Sequence, residues 1–525
     1  MSRISLCLAW LIIAILAHMA FPGMAMAAPS KDAIERSIQR AMDEFQVPGM
    51  AISVVYDGGI YYSAGHGVLE MGAEQAVDDT TLFQIGSVSK AFTAAAMALL
   101  ADEGKLNWDD RVIDHLPEFR MYDPWVTREF TLRDLLTHRS GLPLGAGDLL
   151  MFPDGKSSRE EIVHAMRFLQ PSSSFRAKFD YDNLLYVIAG EVVGRVSGMN
   201  FEDFLEQRLL APLGMQDCAA TLERAAPTAA KATPHVLTDG ELQITTSRIT
   251  PVAAAAGGIN CSARNMASWM LFVLKKGVTA SGEQLISTAQ FDQLLGPVTL
   301  VPGPAYLAEH AGSHLNAYAL GWSVSTFYGQ PMVAHSGGVW GMTTFVMALP
   351  QQGLAIFASN NLMSPAPRAI VNDLADQFLA DLVPGTGKDW INIIGELYRS
   401  QQAAGAATVA QAAAARAGTS QPSLPLEAYA GTYRDAWYGD IHIELAEDGQ
   451  LWFRSERNEP LQGPLEHFQF DTFIARWTDR RLLADAYVSF SLSPEGRIER
   501  IRMKAVSPTT DFSYDFHDLD LKHVE

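Results

Sequence analysis

Cysteine is scarce in this 525-residue chain, with only Cys7, Cys218 and Cys261 present. That excludes a disulfide-framework fold and a cysteine-built metal centre, while one bridge between the last two stays open. Basic residues are also few, 39 Lys and Arg against 59 Asp and Glu, for a formal net charge of −20. Such a balance argues against nucleic acid and against anionic membrane surfaces as partners. Apolar runs of membrane-spanning length are missing too. The run at residues 4–17 is too short to span a bilayer comfortably. It follows a single basic residue, Arg3, and precedes Ala25-Met26-Ala27, so residues 1–27 read as a secretory leader and Ala28 as the first mature residue. The expected destination is the periplasm or the medium, with no stable membrane span once the leader is cleaved.

What the chain has is length, enough for two domains or more, and one long alanine-rich apolar stretch. Phe83-Gln84-Ile85-Gly86-Ser87-Val88-Ser89-Lys90 runs straight into Ala91 and ten further residues that carry no charge before Asp102. A helix without a charged face belongs in a core, and Gly104 marks its end. If it begins at Ser87, the three-residue step to Lys90 is about one turn and stacks the ammonium stem under the hydroxyl. A serine hydroxyl becomes a nucleophile only with a base in reach, and burial can bring a lysine into that role. Taken alone, Ser-x-x-Lys also fits a helix N-cap followed by a snorkelling lysine.

Other segments surround this one. Residues 34–44 read as an amphipathic helix, and residues 50–56 and 60–63 as strands joined at Asp57-Gly58-Gly59. Residues 131–143 form a short capped helix and turn in which His138 reads as a helix-end cap. Tyr181 and Asn183 precede an apolar helix start at Leu184. They can offer a phenol and an amide to one pocket, or simply make an Asx-type cap beside a packed tyrosine. Residues 245–262 are a small-residue loop able to approach a ligand closely, leading into a helix at 263–274. His310 and His314 sit four apart among Pro302, Gly303, Pro304 and Gly312 and read as solvated loop residues with no third metal ligand nearby. Strands at 320–324 and 331–335 lead to Ser336-Gly337-Gly338, where glycine lets a main-chain N–H face a pocket, and strands at 343–349 and 354–358 and a helix at 367–382 follow.

In the tail, residues 389–402 read as a helix and 403–423 as an Ala-rich linker, helical in part at most. From Leu426 the pattern becomes short alternating runs with Asp448-Gly449 and Pro494-Glu495-Gly496 turns, an all-β module. The linker implies a module with its own core and a limited interface to the rest.

Ser87-x-x-Lys90, Tyr181-x-Asn183 and His335-Ser336-Gly337, in that order and approximate spacing, resemble the serine β-lactamase and penicillin-binding protein superfamily. The tyrosine in the second motif is similar to the class C β-lactamase branch, which also holds DD-carboxypeptidases, D-aminopeptidases and carboxylesterases. Leu135-Leu136-Thr137-His138-Arg139-Ser140-Gly141, Gly257-Gly258 and Leu320-Gly321-Trp322 extend the likeness over roughly residues 34–382. It implies an α+β fold, an antiparallel sheet flanked by helices plus a helical lobe, with a catalytic domain at 28–385, helix and linker at 386–424, and a β domain at 425–525. Leu426-Glu427-Ala428-Tyr429-Ala430-Gly431-Thr432-Tyr433 resembles the opening of lipocalin-like barrels appended to many members of this superfamily.

By the same resemblance, Ser87 attacks an acyl carbonyl, Lys90 and Tyr181 move its proton, Asn183 binds the substrate amide or orients Lys90, and the Gly337-Gly338 backbone joins the Ser87 N–H at the oxyanion. No cofactor and no metal are implied. The substrate is a small peptide, amide or ester, processed through an acyl-enzyme. His335 is a departure, since β-lactamases and DD-peptidases here usually carry lysine. A largely neutral histidine favours D-aminopeptidase-like or esterase-like substrates over carboxylate-bearing antibiotics. A β-lactamase proper and a catalytically silent binding protein on the same fold are the competing readings. An α/β-hydrolase is disfavoured, because Gly-x-Ser-x-Gly occurs nowhere. Oligomeric state is left open.

Overall fold

The computed structural model describes residues 28–524, so the leader expected at 1–27 lies outside the described residues. The first helix, α1 (Lys31–Phe45), starts where Ser30 Oγ accepts the Ala33 N–H, and it buries Ile34, Ile38, Ala41, Met42 and Phe45 at helical spacing. Strands β1 (Gly49–Tyr56) and β2 (Gly59–Gly67) turn at Asp57 and Gly58, both at positive φ, as a tight hairpin requires. The chain returns to this sheet much later with β3 (Thr299–Leu300), β4 (Ala317–Tyr318), β5 (Ser323–Phe327), β6 (Gln330–Val339), β7 (Met342–Leu349) and β8 (Leu354–Asn360). The order across the sheet is β2-β1-β8-β7-β6-β5-β4-β3, and every neighbouring pair is antiparallel.

Both faces of the central strands are covered, which is why they read as continuous apolar runs. Met50, Ile52 and Val54 join one core with α1, α5 (Ala366–Leu379) and the start of α6 (Trp390–Ala415), while Ala51 and Val55 point to the other. That second core holds α2 (Ser89–Asp102), α3 (Leu184–Ser197) and α4 (Ala263–Leu274). Helix α2 is buried from Ser89 to Leu100 and ends before Gly104, whose φ is +68°. Short helices between residues 112 and 205 complete a helical lobe around α3. Cys218 and Cys261 are bonded to each other, 4.4 Å apart at Cα, and Cys261 pairs in a short ladder with Phe83, just ahead of Ser87.

Eight further strands, from β9 (Gly431–Asp435) to β16 (Leu521–His523), close into a barrel through the pairs Tyr433–His523 and Arg434–Lys522. Antiparallel sheet, flanking helices, helical lobe and all-β barrel are thus arranged as expected. Three details differ. Helix α6 runs on to Ala415, because an alanine-rich segment has the highest helix propensity of any composition and here starts from a buried first turn. His310 lies in a short helix (Ala305–Ala311) rather than a loop, with Gly312 in the left-handed conformation ending it before His314. The barrel's interface is not limited. Asn458 Nδ2 donates to the Pro153 carbonyl at 2.9 Å, Trp340 Nε1 to the Arg481 carbonyl at 3.1 Å, and Arg248 pairs with both Asp154 and Asp479. One apolar core runs from α2 into the barrel interior. A linker's composition reports its own stiffness and says nothing about the surfaces on either side of it.

Candidate active site

Ser87 sits in a single 3₁₀ turn (Gly86–Val88) that feeds α2. The turn and strand β6 meet backbone against backbone. A Cβ on Gly337 would fall 1.9 Å from the Ile85 carbonyl oxygen, and one on Gly86, at φ +53°, would fall 2.4 Å from the Gly338 nitrogen. Only glycine allows that approach. The strand expected to end at His335 continues as β6 through Ser336, Gly337 and Gly338, and the second glycine lines the cavity beside Ser87.

Lys90 is fully buried one turn beyond Ser87. Its Nζ lies 3.0 Å from Ser87 Oγ, 2.7 Å from Asn183 Oδ1 and 2.8 Å from the Ala256 carbonyl oxygen. Burial lowers its pKa to about 7, against the pull of Asp148 and Asp182. The consequence is geometric. A neutral amine has two N–H bonds, and the two obligate acceptors, Asn183 Oδ1 and the Ala256 carbonyl, take them. The lone pair is left facing the Ser87 hydroxyl, the arrangement in which an amine can accept a serine proton.

The Tyr181–Asn183 turn shows why both readings of it were available. An Asx-type cap is present, but Asp182 makes it, accepting the Leu184 N–H at 3.0 Å. Asn183 makes no cap and is free for Lys90, while its Nδ2 donates to Asp148 Oδ2 at 2.8 Å. The Tyr181 ring lies 4.8 Å from Lys90 Nζ. Burial holds its phenol well above the usual tyrosine range, Tyr318 adds to the rise, and the Ser87 hydroxyl opposes it. The Tyr181 hydroxyl itself is buried without a hydrogen bond of full geometry.

His335 accepts from the Tyr318 hydroxyl through Nε2 at 2.8 Å and uses Nδ1–H on the Ser336 carbonyl at 2.6 Å. Burial, with Lys90 and Arg368 adding, brings it to about 3 against the Ser336 carbonyl, so it is neutral. His138 departs from its expected role as a helix-end cap. It is buried at φ +51° after the helix has ended, its Nδ1 accepts the Asp182 N–H at 3.1 Å, and its ring packs 4.1 Å from that of Tyr181. A histidine near a turn fits a cap by local pattern, but a partner 44 residues onward leaves no local trace.

Ser87, Tyr181, Asn183 and Gly338 line a cavity of about 290 Å³, and Tyr181, His335 and Arg368 line a second of about 250 Å³. Arg368 packs over the Phe345 ring and donates to the Tyr306 hydroxyl, with no carboxylate in salt-bridge range among the described residues. Sequence reasoning missed Asp148, the Ala256 carbonyl and three barrel residues. The segment expected to be a small-residue loop winds into a π turn (Ala254–Gly258), which aims Ala256 at Lys90. Asp511, Phe512 and Ser513, just before the last barrel strand, line the Ser87 cavity, and the Phe512 ring stands edge-on to Tyr181 at 5.9 Å.

A beta-lactamase family model matches residues 34–381, and a domain of unknown function, DUF3471, matches 415–523. An unguisins hydrolase of Aspergillus campestris is 26% identical over 87% of this chain and 86% of its own length. Penicillin-binding protein 4 of Amycolatopsis lactamdurans is 27% identical over 65% of this chain and 87% of its own. In fold, the octameric penicillin-binding protein homologue from Pyrococcus abyssi superposes with a TM-score of 0.60 at 21% identity, across 94% of this chain and all of that one. The chain belongs to the beta-lactamase family and is a serine hydrolase of penicillin-binding-protein-like fold with a closed β barrel behind it.

Proposed function

We propose that the protein is an exported hydrolase of small peptides, amides or esters, acting through an acyl-enzyme on Ser87. The observation that carries this reading is the Lys90 amine, whose two acceptors leave its lone pair for the Ser87 hydroxyl. Lys90 takes the serine proton, and the Ser87 oxygen attacks the acyl carbonyl. The oxyanion is held by the N–H groups of Ser87 and Gly338, each such donor being worth about 3 kcal/mol to the transition state. Tyr181, neutral beside Ser87, gives its proton to the leaving group and takes in return the one Lys90 removed from Ser87. Water, losing a proton to Lys90, then releases the acyl group, and Ser87 regains its proton. The leader-like N-terminus and the Cys218–Cys261 disulfide support export to an oxidising compartment. The unguisins hydrolase and the penicillin-binding protein among the relatives support hydrolysis as the reaction class. Within the family we favour the class C-related branch, on the tyrosine of Tyr181-x-Asn183, and a lipocalin-like origin for the barrel.

His335 directs the choice of substrate. Neutral and engaged at both ring nitrogens, it offers no cation to an antibiotic carboxylate beside Ser87. The test is kcat/KM on D-amino-acid anilides, short acyl esters and a chromogenic cephalosporin. Esters or amino-terminal D-residue amides are expected to lead, and His335→Lys to narrow the gap. A cephalosporin turned over faster than every ester and amide contradicts the assignment.

A further inference from the structure

The barrel reaches the proposed base through a chain of side chains, two of which, Ser513 and Asp148, lie outside the family motifs. Ser513 Oγ donates to Asp148 Oδ2 at 2.8 Å, the same oxygen accepts Asn183 Nδ2 at 2.8 Å, and Asn183 Oδ1 then accepts Lys90 Nζ at 2.7 Å. Asp148 is fully buried, and its other oxygen has no hydrogen-bond partner among the described residues. The segment carrying Ser513 is anchored on the same loop, because Asp515 accepts the backbone N–H groups of Gly147 at 2.7 Å and Leu149 at 3.1 Å. These bonds tie residues 511–515 of the barrel to residues 147–149 of the helical lobe.

An amide side chain presents either oxygen or N–H to a neighbour, depending on what its other end meets. With an ionised Asp148 as acceptor, Nδ2 must face the carboxylate and Oδ1 must face Lys90. If Asp148 carries a proton, that constraint is relaxed. Asn183 can then turn N–H groups towards the amine and disturb the lone pair aimed at Ser87. The Ser513 hydroxyl donates to the carboxylate and so favours its ionised form.

We infer that Ser513, supplied by the C-terminal barrel, is a positioning residue that works through Asp148 and Asn183 to keep the Lys90 amine directed at Ser87. This deepens the hydrolase reading and rests on it. The charged and titratable groups facing Asp148 are Lys90 from α2, Tyr181 and Asp182 ahead of α3, and Asp511 and Asp515 from the barrel. His138 and His335 also face Lys90. Burial brings Asp148 to about 7 against the hydrogen bonds from Asn183 and Ser513, so loss of one donor acts where its ionisation is balanced. The productive state has an ionised Asp148 and a neutral Lys90. Removing the hydroxyl raises the pH at which that state is reached.

The experiment is the pH dependence of phosphonate labelling of the full chain, followed by intact mass, for wild type, Ser513→Ala, Ser513→Thr, Asp148→Asn and the Ser513→Ala/Asp148→Asn pair. Ser513→Ala should label about twofold more slowly at pH 7 or slower still, with its acid limb moved to higher pH by about half a unit or more. Its thermal unfolding should stay close to wild type, since Ser513 is only partly buried and alanine leaves no large cavity. Ser513→Thr, which keeps the hydroxyl, should restore most of the rate. On the Asp148→Asn background, Ser513→Ala should no longer move the limb, because the carboxylate it acts on is gone. A rate loss in Ser513→Ala with an unmoved acid limb makes the residue merely structural and overturns the inference, as does a wild-type profile. A wild type that takes no label at all removes the hydrolase reading, and this link with it, while a labelled wild type with an indifferent Ser513→Ala removes the link alone.

Discussion

At the scale of single residues, the proposed chemistry depends on a lysine held near neutrality by burial. Lys90 has no carboxylate in contact, and the opposing pull of Asp148 and Asp182 leaves its pKa at about 7. The amine must be unprotonated to act, so acylation should be slow below that value and rise as pH passes through it. Phosphonate labelling between about pH 5 and 9 checks this, and a flat profile or a fall with rising pH contradicts it. Lys90→Ala should lower the labelling rate by about 10²–10⁴-fold. Arg368 allows a second prediction, because it has no ion-pair partner among the described residues and lines the cavity on the His335 side. Arg368→Ala should reduce kcat/KM for carboxylate-bearing substrates more than for neutral esters, and an equal reduction for both classes counts against that orientation of the substrate.

At the scale of elements, the decisive contact is between the Ser87 turn and β6. Gly337→Ala puts a methyl group 1.9 Å from the Ile85 carbonyl oxygen, whereas a methyl at Gly338 meets nothing within 4 Å. Gly337→Ala should therefore destabilise by about 1–3 kcal/mol or more and separate strand from turn, while Gly338→Ala should leave thermal unfolding unchanged. Equal unfolding temperatures for both variants contradict the close approach. This contact also marks the limit of what the sequence reveals. Ser87 and Lys90 were legible because a one-turn step is local, and Tyr181, Asn183 and His335 because they recur as ordered motifs. Hairpins, apolar strands and the alternating tail were legible by periodicity. Asp148 was not, since nothing around Gly147 repeats a pattern and its partners are 35 and 365 residues away. The turn at Ala254–Gly258 and the buried place of His138 likewise depend on tertiary partners.

At the scale of the whole molecule, catalytic region and barrel share one core and one cavity. The Ala-rich segment suggested a detachable module, but Asp515 satisfies the backbone of the lobe and Phe512 stands against Tyr181. The full chain should then unfold in one cooperative transition. A chain ended after Ala415 should lose solubility or unfold at distinctly lower temperature, because it exposes apolar surface around Leu149, Phe152 and Trp340. A soluble truncated protein with wild-type unfolding temperature and labelling rate contradicts this integration.

The most direct test of the central claim is the intact mass of the folded protein after a serine-directed phosphonate, with the modified peptide sequenced. One adduct per chain is expected, on Ser87, formed faster at pH 8 than at pH 6 and absent from Ser87→Ala. No adduct on folded wild type at any pH from neutral to alkaline, or an adduct that persists in Ser87→Ala, contradicts it.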